Sequence, residues 1–299
     1  MDRASFGLRS GAAPREHPAM SSDSIKIAVA QSLITPDVHA NGSHIRDLMS
    51  RAATDGARLV QFTEGALSGY GKAQIRDWSA VDWQALREEL EETAAHARRL
   101  GLWVALGCNH RLTPPNRPHN SLYVISDEGR LIGRYDKRLC SHSEVTDWYT
   151  PGSSPFVFEV DGFRFGTLLC IEVQFPELFA EYERLGVDCL LFSAYSKDPM
   201  FGIQAQAHAA TNCYWLGLAT PAQCSRDLPS AMIGPDGHVI DQAPATGAPA
   251  IVSTILDRTE PRYAIALTKA RPWRALARRG DIYRIRATSD ERTADRVSF

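Results

Sequence analysis

Hydrophobic positions follow two periods along this chain, and the change from one period to the other separates predicted strands from predicted helices. Apolar runs of strand length occur at residues 26–30, 57–62, 102–108, 122–125, 131–135, 163–169, 187–193, 214–220 and 251–256. Turns containing Asp and Gly predict hairpins at residues 127–129, 161–162 and 236–237. Strands outnumber those of a simple alternating β-α chain, so we expect an α/β fold with two sheets and helices packed outside both.

Apolar residues at helical spacing predict the helices. The first helix has an inner face of Ile45, Leu48, Met49, Ala52 and Ala53, and Gly56 ends it. A longer helix turns Trp83, Leu86, Leu90, Ala94 and Ala97 inward and its charged residues outward. Further helices are expected after Pro176 and over residues 204–212.

Composition and charge narrow the class of protein. The 299 residues are 44% hydrophobic with a formal net charge of −2, which allows a large core and favours neither nucleic acid nor a membrane as partner. No run reaches the roughly 18 apolar residues of a membrane span, and residues 1–24 contain no signal-peptide core. We expect a disordered tail over 1–24, one domain over 25–285 and a C-terminal tail over 286–299. Six cysteines without a CxxC pair are typical of a reducing compartment, so we expect a cytoplasmic protein.

Cys170 stands where the apolar run 163–169 ends and a helical pattern begins. Pro176 suits the first turn of that helix. A thiol just ahead of a helix feels the positive end of the helix dipole and has free backbone N–H groups nearby, which favours the thiolate and offers donors for an oxyanion. A cysteine at the end of an apolar strand is more often a small core residue, so a nucleophilic role requires partner groups elsewhere.

Three charged residues ahead of Cys170 are candidate partners. Glu64 follows the strand at 57–62, and a carboxylate at the end of a buried strand is costly unless it is paired or takes part in chemistry. Lys137 comes just past the second strand of a hairpin, and Glu144 follows it by seven residues. Taken alone, each is also compatible with a solvated surface charge.

The C-terminal segment is basic, with six arginines between residues 271 and 286 interleaved with Trp273 and Tyr283. A nucleic-acid site is one interpretation of this pattern. The segment is short and the whole chain is slightly acidic, which favours a subunit-contacting arm.

Three separated segments resemble the three catalytic blocks of the nitrilase superfamily of carbon–nitrogen hydrolases. They are Leu59-Val-Gln-Phe-Thr-Glu-Gly-Ala-Leu-Ser-Gly-Tyr70, Gly133-Arg-Tyr-Asp-Lys-Arg-Leu139 and Gly166-Thr-Leu-Leu-Cys-Ile-Glu-Val-Gln-Phe-Pro-Glu177. The resemblance extends to Asn120-Ser121, Pro235-Asp-Gly237 and Arg279-Gly-Asp-Ile-Tyr283, and so covers about residues 25–285. One block alone is a weak signal, whereas three in the right order form a specific one.

The resemblance implies a four-layer α-β-β-α sandwich with two central mixed sheets, and a homodimer or higher homo-oligomer. It also implies a Glu-Lys-Cys triad, in which Cys170 is the nucleophile, Glu64 the general base and Lys137 the oxyanion stabiliser. Glu144 is then a second active-site glutamate. The implied substrate is a small molecule, with no metal or organic cofactor.

Departures from the family pattern concern the substrate more than the mechanism. Thr63 stands where the family usually has proline, and Ile171 replaces the aromatic residue that commonly follows the nucleophile. Ile171, Trp148 and Tyr195 are candidate substrate-binding residues, although the two aromatic residues are equally compatible with core or rim positions. The sequence Phe175-Pro-Glu177 resembles the amidase-like branches, so an amide is the predicted substrate.

Alternatives stay open within and outside this chemistry. The same triad hydrolyses nitriles or N-carbamoyl amines in other branches, and a catalytically silent member would act as a binding or scaffold protein. The intact Glu64, Lys137 and Cys170 argue against the silent member. A papain-like protease is disfavoured because no cysteine lies in a Cys-Gly-x-Cys-Trp pattern. A zinc enzyme is disfavoured because none of the nine histidines forms an HExxH pair.

Overall fold

The computed structural model describes residues 23–299, whose strands form two six-stranded sheets. The strands are β1 (Ser24–Gln31), β2 (Leu59–Gln61), β3 (Trp103–His110), β4 (His119–Ile125), β5 (Leu131–Asp136), β6 (Val157–Val160), β7 (Phe163–Leu169), β8 (Cys189–Ser193), β9 (Trp215–Ala219), β10 (Ala231–Ile233), β11 (Val239–Gln242) and β12 (Ala250–Asp257). The first sheet has the order β12-β1-β2-β3-β4-β5 and the second the order β11-β10-β9-β8-β7-β6. Strands β1, β2 and β3 are parallel, as are β7, β8 and β9, while the remaining neighbours are antiparallel. Both sheets are therefore mixed.

Helices cover the outer faces of both sheets. The helices that cover them are α1 (Val38–Thr54), α2 (Trp83–Leu100), α3 (Pro176–Arg184) and α4 (Met200–Asn212), and three short helices follow near the C-terminus: α5 (Arg271–Arg279), α6 (Asp281–Arg284) and α7 (Glu291–Ala294). Asp37 and Asp82 begin α1 and α2, because each side chain accepts hydrogen bonds from two backbone N–H groups of the first turn. The pair α1 and α2 packs on the first sheet, and α3 and α4 pack on the second. The result is a four-layer α-β-β-α sandwich.

The core alternates along the strands with period two. Ile27 and Val29 of β1 pack between the sheets, whereas Ala28 and Ala30 pack beneath α1 and α2. Successive side chains of a strand point to opposite faces, so a strand buried on both faces reads as a continuous apolar run. The apolar runs that form β1, β3, β7, β8 and β9 are such strands.

A buried polar bridge fixes the two sheets against each other near the ends of β2 and β8. Gln61 Nε2 donates to Ser193 Oγ at 3.1 Å. Thr63 Oγ1 donates to the carbonyl of Ala194 at 2.8 Å. A proline at position 63 has no side-chain donor and could not make this hydrogen bond. The residues that follow β2 and β8 therefore lie side by side.

Two glycines allow the turn after β2 to lie close to β3. Gly65 has a φ of +67°, a left-handed conformation that other residues adopt at a cost. A Cβ placed on Gly107 would come within 2.1 Å of the carbonyl oxygen of Thr63. The backbone on either side of Glu64 is thus held by contacts that only glycine permits.

The basic C-terminal segment binds its own chain. Arg274 Nη1 donates to the carbonyl of Ala210 at 2.5 Å, and Arg278 Nη2 donates to Asn212 Oδ1 at 2.8 Å, both at the C-terminal end of α4. Arg278 also pairs with Glu183 at 2.7 Å. Carbonyls at a helix C-terminus carry partial negative charge, which cations stabilise.

The predicted architecture is confirmed, with shifted element ends. The run 57–62 contributes only the three residues of β2. The sequence analysis does not predict α5 and α6, because their segment is mostly polar. Residues 1–22 of the predicted N-terminal tail lie outside the described residues, and Ser24 already belongs to β1. Residues 286–299 are exposed and include α7. Among residues 23–299, no helix combines the length and apolar character needed to cross a bilayer.

Candidate active site

Cys170 lies at a sharp turn between strand and helix. Strand β7 ends at Leu169, a short 3-10 helix occupies Cys170–Gln174, and α3 begins at Pro176. The φ of Cys170 is +49°, a left-handed conformation that a non-glycine residue adopts at a cost. Its Sγ lies 3.9 Å from the carbonyl oxygen of Tyr195, and the residue is 8% exposed. The predicted strand-to-helix turn is confirmed.

A buried ammonium group joins two carboxylates close to this turn. Lys137 Nζ lies 3.0 Å from Glu64 Oε1, and 2.8 Å and 3.0 Å from the two carboxylate oxygens of Glu144. Lys137 follows β5, Glu64 follows β2, and Glu144 begins a wide helical turn, Glu144–Trp148. All three side chains are at most 1% exposed. The fold thus brings together three candidate residues that are separated along the chain.

Glu64 also connects this cluster to the thiol. Asn120 Nδ2 donates to Glu64 Oε1 at 2.7 Å, and the backbone N–H of Tyr195 donates to Glu64 Oε2 at 2.8 Å. The carbonyl of the same Tyr195 faces Cys170 Sγ. The backbone of one residue therefore spans the carboxylate and the thiol, and fixes their relative position.

Glu144 is held on its outer side by two further donors. The Tyr70 hydroxyl donates to Glu144 Oε1 at 2.8 Å, and the backbone N–H of Ser141 donates to Glu144 Oε2 at 2.7 Å. With the two contacts from Lys137, each carboxylate oxygen of Glu144 accepts two hydrogen bonds. A buried carboxylate satisfied in this way is held in one orientation.

Burial and charge set the protonation states of the cluster. Burial raises the pKa of the Cys170 thiol, and the negative charge of Glu64 raises it further, so the resting thiol is protonated at neutral pH. Burial and the charge of Glu64 therefore oppose the effect of the helix start, which favours the thiolate. Desolvation lowers the pKa of Lys137, but the charges of Glu64, Cys170 and Glu144 outweigh it and raise this pKa overall. Desolvation raises the pKa of Glu144, and Lys137 outweighs it and lowers this pKa overall. Lys137 is therefore an ammonium and Glu144 a carboxylate.

Glu172 is a buried carboxylate that the sequence interpretation did not assign to the site. Its Oε1 accepts hydrogen bonds from the Tyr135 hydroxyl at 2.7 Å and from the N–H groups of Arg138 and Leu139 at 2.8 Å and 3.0 Å. Its Oε2 accepts the N–H of Leu169 at 2.8 Å. One carboxylate thus connects the backbone after Lys137 to the backbone before Cys170.

The candidate substrate-binding residues lie at different places around the cluster. The Tyr195 ring stacks on the Tyr70 ring, with centroids 5.0 Å apart and planes 15° apart. Trp148 lies at the end of the Glu144 turn, edge-on to Trp78 at 5.8 Å. Ile171 is partly buried against the core beside Cys170. The stacked tyrosines are therefore the aromatic residues with hydrogen bonds to the cluster, through the Tyr70 hydroxyl and the Tyr195 backbone.

Sequence signals for the missed residues existed within the three blocks. Glu172 follows Cys170 by two residues, and Tyr70 ends the block that contains Glu64. No periodicity distinguishes such residues from neighbours that face the core, because their roles arise from contacts across the fold. Within residues 23–299, no group of three or more His, Cys, Asp and Glu side chains is arranged to hold a metal ion.

Comparisons with known proteins identify the family of the chain. The family model described as carbon-nitrogen hydrolase matches residues 26–262. The chain is 22% identical over 235 residues to an omega-amidase of Xenopus tropicalis, covering 73% of this chain and 84% of that protein. It is 26% identical over 213 residues to a deaminated glutathione amidase of Synechocystis, covering 66% of this chain and 76% of that protein.

The fold is also similar to that of solved structures. A crystal structure of an amidase from Nesterenkonia superposes with a TM-score of 0.72 at 21% sequence identity, covering 87% of this chain and 97% of that one. At this identity the likeness concerns the fold alone.

Proposed function

Since the chain belongs to the carbon–nitrogen hydrolase family, we propose that it hydrolyses a small amide to a carboxylate and ammonia through a thioester on Cys170. The observation that carries this proposal is the buried cluster of Lys137 between Glu64 and Glu144, joined to Cys170 through the backbone of Tyr195. The amidases among the similar proteins favour an amide as substrate.

In the first half of the reaction, Glu64 takes the proton of the Cys170 thiol as Sγ attacks the amide carbon. The raised pKa of this thiol makes a general base necessary at neutral pH. The carbon–nitrogen bond then breaks, Glu64 returns the proton to the leaving nitrogen, and ammonia departs. The acyl group stays on Sγ as a thioester.

In the second half, Glu64 removes a proton from water, whose oxygen attacks the thioester carbon. The carbon–sulfur bond breaks, Glu64 returns the proton to Sγ, and the carboxylic acid leaves. Two easier steps thus replace direct attack of water on an unreactive amide, because the sulfur is a better nucleophile than water and the thioester is a better electrophile than the amide.

Lys137 stabilises the negative charge that develops on the carbonyl oxygen in both steps, together with the N–H of Ile171. Glu144 holds this ammonium in a fixed position, because both of its carboxylate oxygens contact Nζ of Lys137. A scaffold protein would gain nothing from this arrangement, because burying an ammonium and two carboxylates costs several kcal/mol per ion in desolvation.

Ammonia release from a panel of amides, nitriles and N-carbamoyl amines tests the proposal, since hydrolysis of each class liberates ammonia. We expect the amides to respond, and Cys170→Ala to abolish the release. Cys108→Ala is the matched control, because Cys108 is a buried cysteine of β3 whose thiol donates to the carbonyl of Asn109 and not to the cluster. Release from nitriles or N-carbamoyl amines alone would reassign the substrate class. No release from any class by folded protein would favour the silent scaffold.

The assembly and location are part of the same proposal. We propose that each chain forms one hydrolase domain over residues 25–285 and that two chains associate as a cytoplasmic homodimer. The six unpaired thiols fit a reducing compartment, and the exposed faces of Trp273, Leu276 and Ile285 near the C-terminus offer apolar surface to a second copy. Light scattering after size exclusion tests the dimer, and Trp273→Glu should shift the mass toward that of one chain. An unchanged dimer in this variant would place the interface elsewhere.

A further inference from the structure

Three hydrogen bonds join Glu144 to the chain after Glu64 in a closed ring. The Tyr70 hydroxyl donates to Glu144 Oε1 at 2.8 Å. The carbonyl of Glu144 accepts the N–H of Tyr149 at 2.7 Å, and the Tyr149 hydroxyl accepts the N–H of Gly71 at 2.9 Å. Because Gly71 follows Tyr70 in the chain, these three hydrogen bonds form a closed ring.

The Tyr70 hydroxyl binds the same oxygen atom as the ammonium of the cluster. Glu144 Oε1 accepts its hydrogen bond and also lies 2.8 Å from Lys137 Nζ. Burial raises the pKa of Tyr70, and the negative charge of Glu64 raises it further, so the hydroxyl keeps its proton and is the donor. A displacement of this hydroxyl therefore displaces the carboxylate that holds Lys137.

Tyr149 fixes the backbone next to Tyr70. Its side chain is buried, and a Cβ placed on Gly71 would come within 2.8 Å of its hydroxyl oxygen and within 3.1 Å of Trp148 Cε3. The hydroxyl reaches the Gly71 N–H because no side chain stands between them. The indole N–H of Trp78 adds a further contact between the same two segments, since it donates to the Trp148 carbonyl at 2.9 Å.

We propose that Tyr70 is a positioning residue, which orients the Glu144 carboxylate and through it the ammonium of Lys137, and that Tyr149 is a second positioning residue that fixes Tyr70. This inference rests on the proposed function, in which Lys137 stabilises the oxyanion. Neither tyrosine transfers a proton in that mechanism. An oxyanion donor acts in the transition state, so a displaced ammonium lowers kcat and kcat/KM together and leaves KM nearly unchanged.

Phenylalanine variants remove each hydroxyl and keep the ring that packs around it. Tyr70→Phe should lower kcat by about tenfold to a hundredfold, because its hydrogen bond goes to a charged acceptor, and Tyr149→Phe by about threefold to tenfold. Both should change KM by less than about twofold. In the double variant kcat should fall no further than in Tyr70→Phe, because Tyr149 acts through Tyr70.

Tyr182→Phe is the matched control for these kinetics. Tyr182 is also a buried tyrosine whose hydroxyl accepts a backbone N–H, that of Phe156 at 3.2 Å, and it belongs to α3. This variant should keep the wild-type kcat. A wild-type kcat in Tyr70→Phe, an effect on KM alone, or losses that multiply in the double variant would overturn the inference.

Amide hydrogen exchange separates this inference from the proposed function, because it requires no turnover. The N–H of Ser141 donates to Glu144 Oε2 at 2.7 Å, so its exchange rate reports how firmly the carboxylate is held. Followed by NMR, exchange at Ser141 should be about threefold or more faster in Tyr70→Phe and in Tyr149→Phe, and unchanged in Tyr182→Phe. Faster exchange in protein that releases no ammonia would support the positioning and count against the hydrolysis alone. Unchanged exchange in both variants would overturn the inference whatever the activity.

Discussion

Replacing Glu172 by glutamine separates a positioning role from proton transfer. Glu172→Gln keeps the size of the side chain and removes its charge and one acceptor. Because Oε1 accepts three hydrogen bonds and Oε2 one, the amide oxygen should turn toward the three donors. The amide nitrogen then faces the N–H of Leu169, which lies 2.8 Å from Oε2 in the wild type. Two donors oppose each other at that point.

The magnitude follows from these contacts. A hydrogen bond to a charged acceptor contributes about 1.5–3 kcal/mol, and a stranded buried N–H costs about 1–3 kcal/mol. Burial raises the pKa of Glu172, so a neutral amide recovers part of the desolvation cost. We expect the free energy of unfolding to fall by about 2–3 kcal/mol. Since the affected backbone flanks Lys137 and Cys170, kcat should fall about a hundredfold, as for a displacement of about 1 Å.

Denaturant unfolding measures the stability of Glu172→Gln. Its kcat and KM measured across pH show whether Glu172 positions the site or transfers a proton. We expect KM to change little and the pH profile to keep its shape at a lower height, because Glu172 transfers no proton in the proposed mechanism. Glu181→Gln is the control, since Glu181 pairs with the side chain of Arg138 at 2.6 Å but is partly exposed. Its stability should stay within about 1 kcal/mol of the wild type. A wild-type kcat in Glu172→Gln, or the loss of one limb of its pH profile, would refute the reasoning.

Three further predictions concern the charged cluster. Lys137→Met leaves two carboxylates without their cation, so the free energy of unfolding should fall by about 3–5 kcal/mol and kcat/KM by about a hundredfold or more. Adding Glu144→Gln to this variant should recover part of the stability but not the rate. Full activity of Lys137→Met would contradict the oxyanion role of Lys137. The lowered pKa of Glu144 means that its stabilisation is present above the unfolded value of 4.5 and is lost as pH falls through the folded value. The difference in melting temperature between wild type and Glu144→Gln should therefore shrink as pH falls from about 7 to about 3.5, whereas a constant difference would contradict the shift. Because the pKa of Cys170 is raised above 9.0, its alkylation by iodoacetamide should accelerate steadily from about pH 6 to about pH 9, and a plateau below about pH 8 would indicate a thiolate at neutral pH.

Local pattern was sufficient for most of the strands, for the four helices that cover the sheets and for the turn that carries Cys170. Hydrophobic period depends on residues within a few positions of each other, so the apolar runs and the helical faces were readable without any knowledge of the fold. The basic C-terminal segment was less informative, because arginines that cap a distant helix have the same local pattern as arginines that contact a partner. Arg274 and Arg278 acquire their partners at the end of α4 only when the chain is folded.

The sequence by itself determined most of the strands, the four helices that cover the sheets and the α/β class, and its resemblance to the family gave Glu64, Lys137, Glu144 and Cys170 as candidate residues. Only the tertiary structure decided that Lys137 contacts Glu64 across 73 positions of the chain, and that Glu172 joins the two segments around it. It also decided that the Cys170 thiol is protonated at rest. The reason is physical: side-chain period is a local property, whereas a pKa and a hydrogen-bond partner depend on burial and on charges that folding brings from distant parts of the chain.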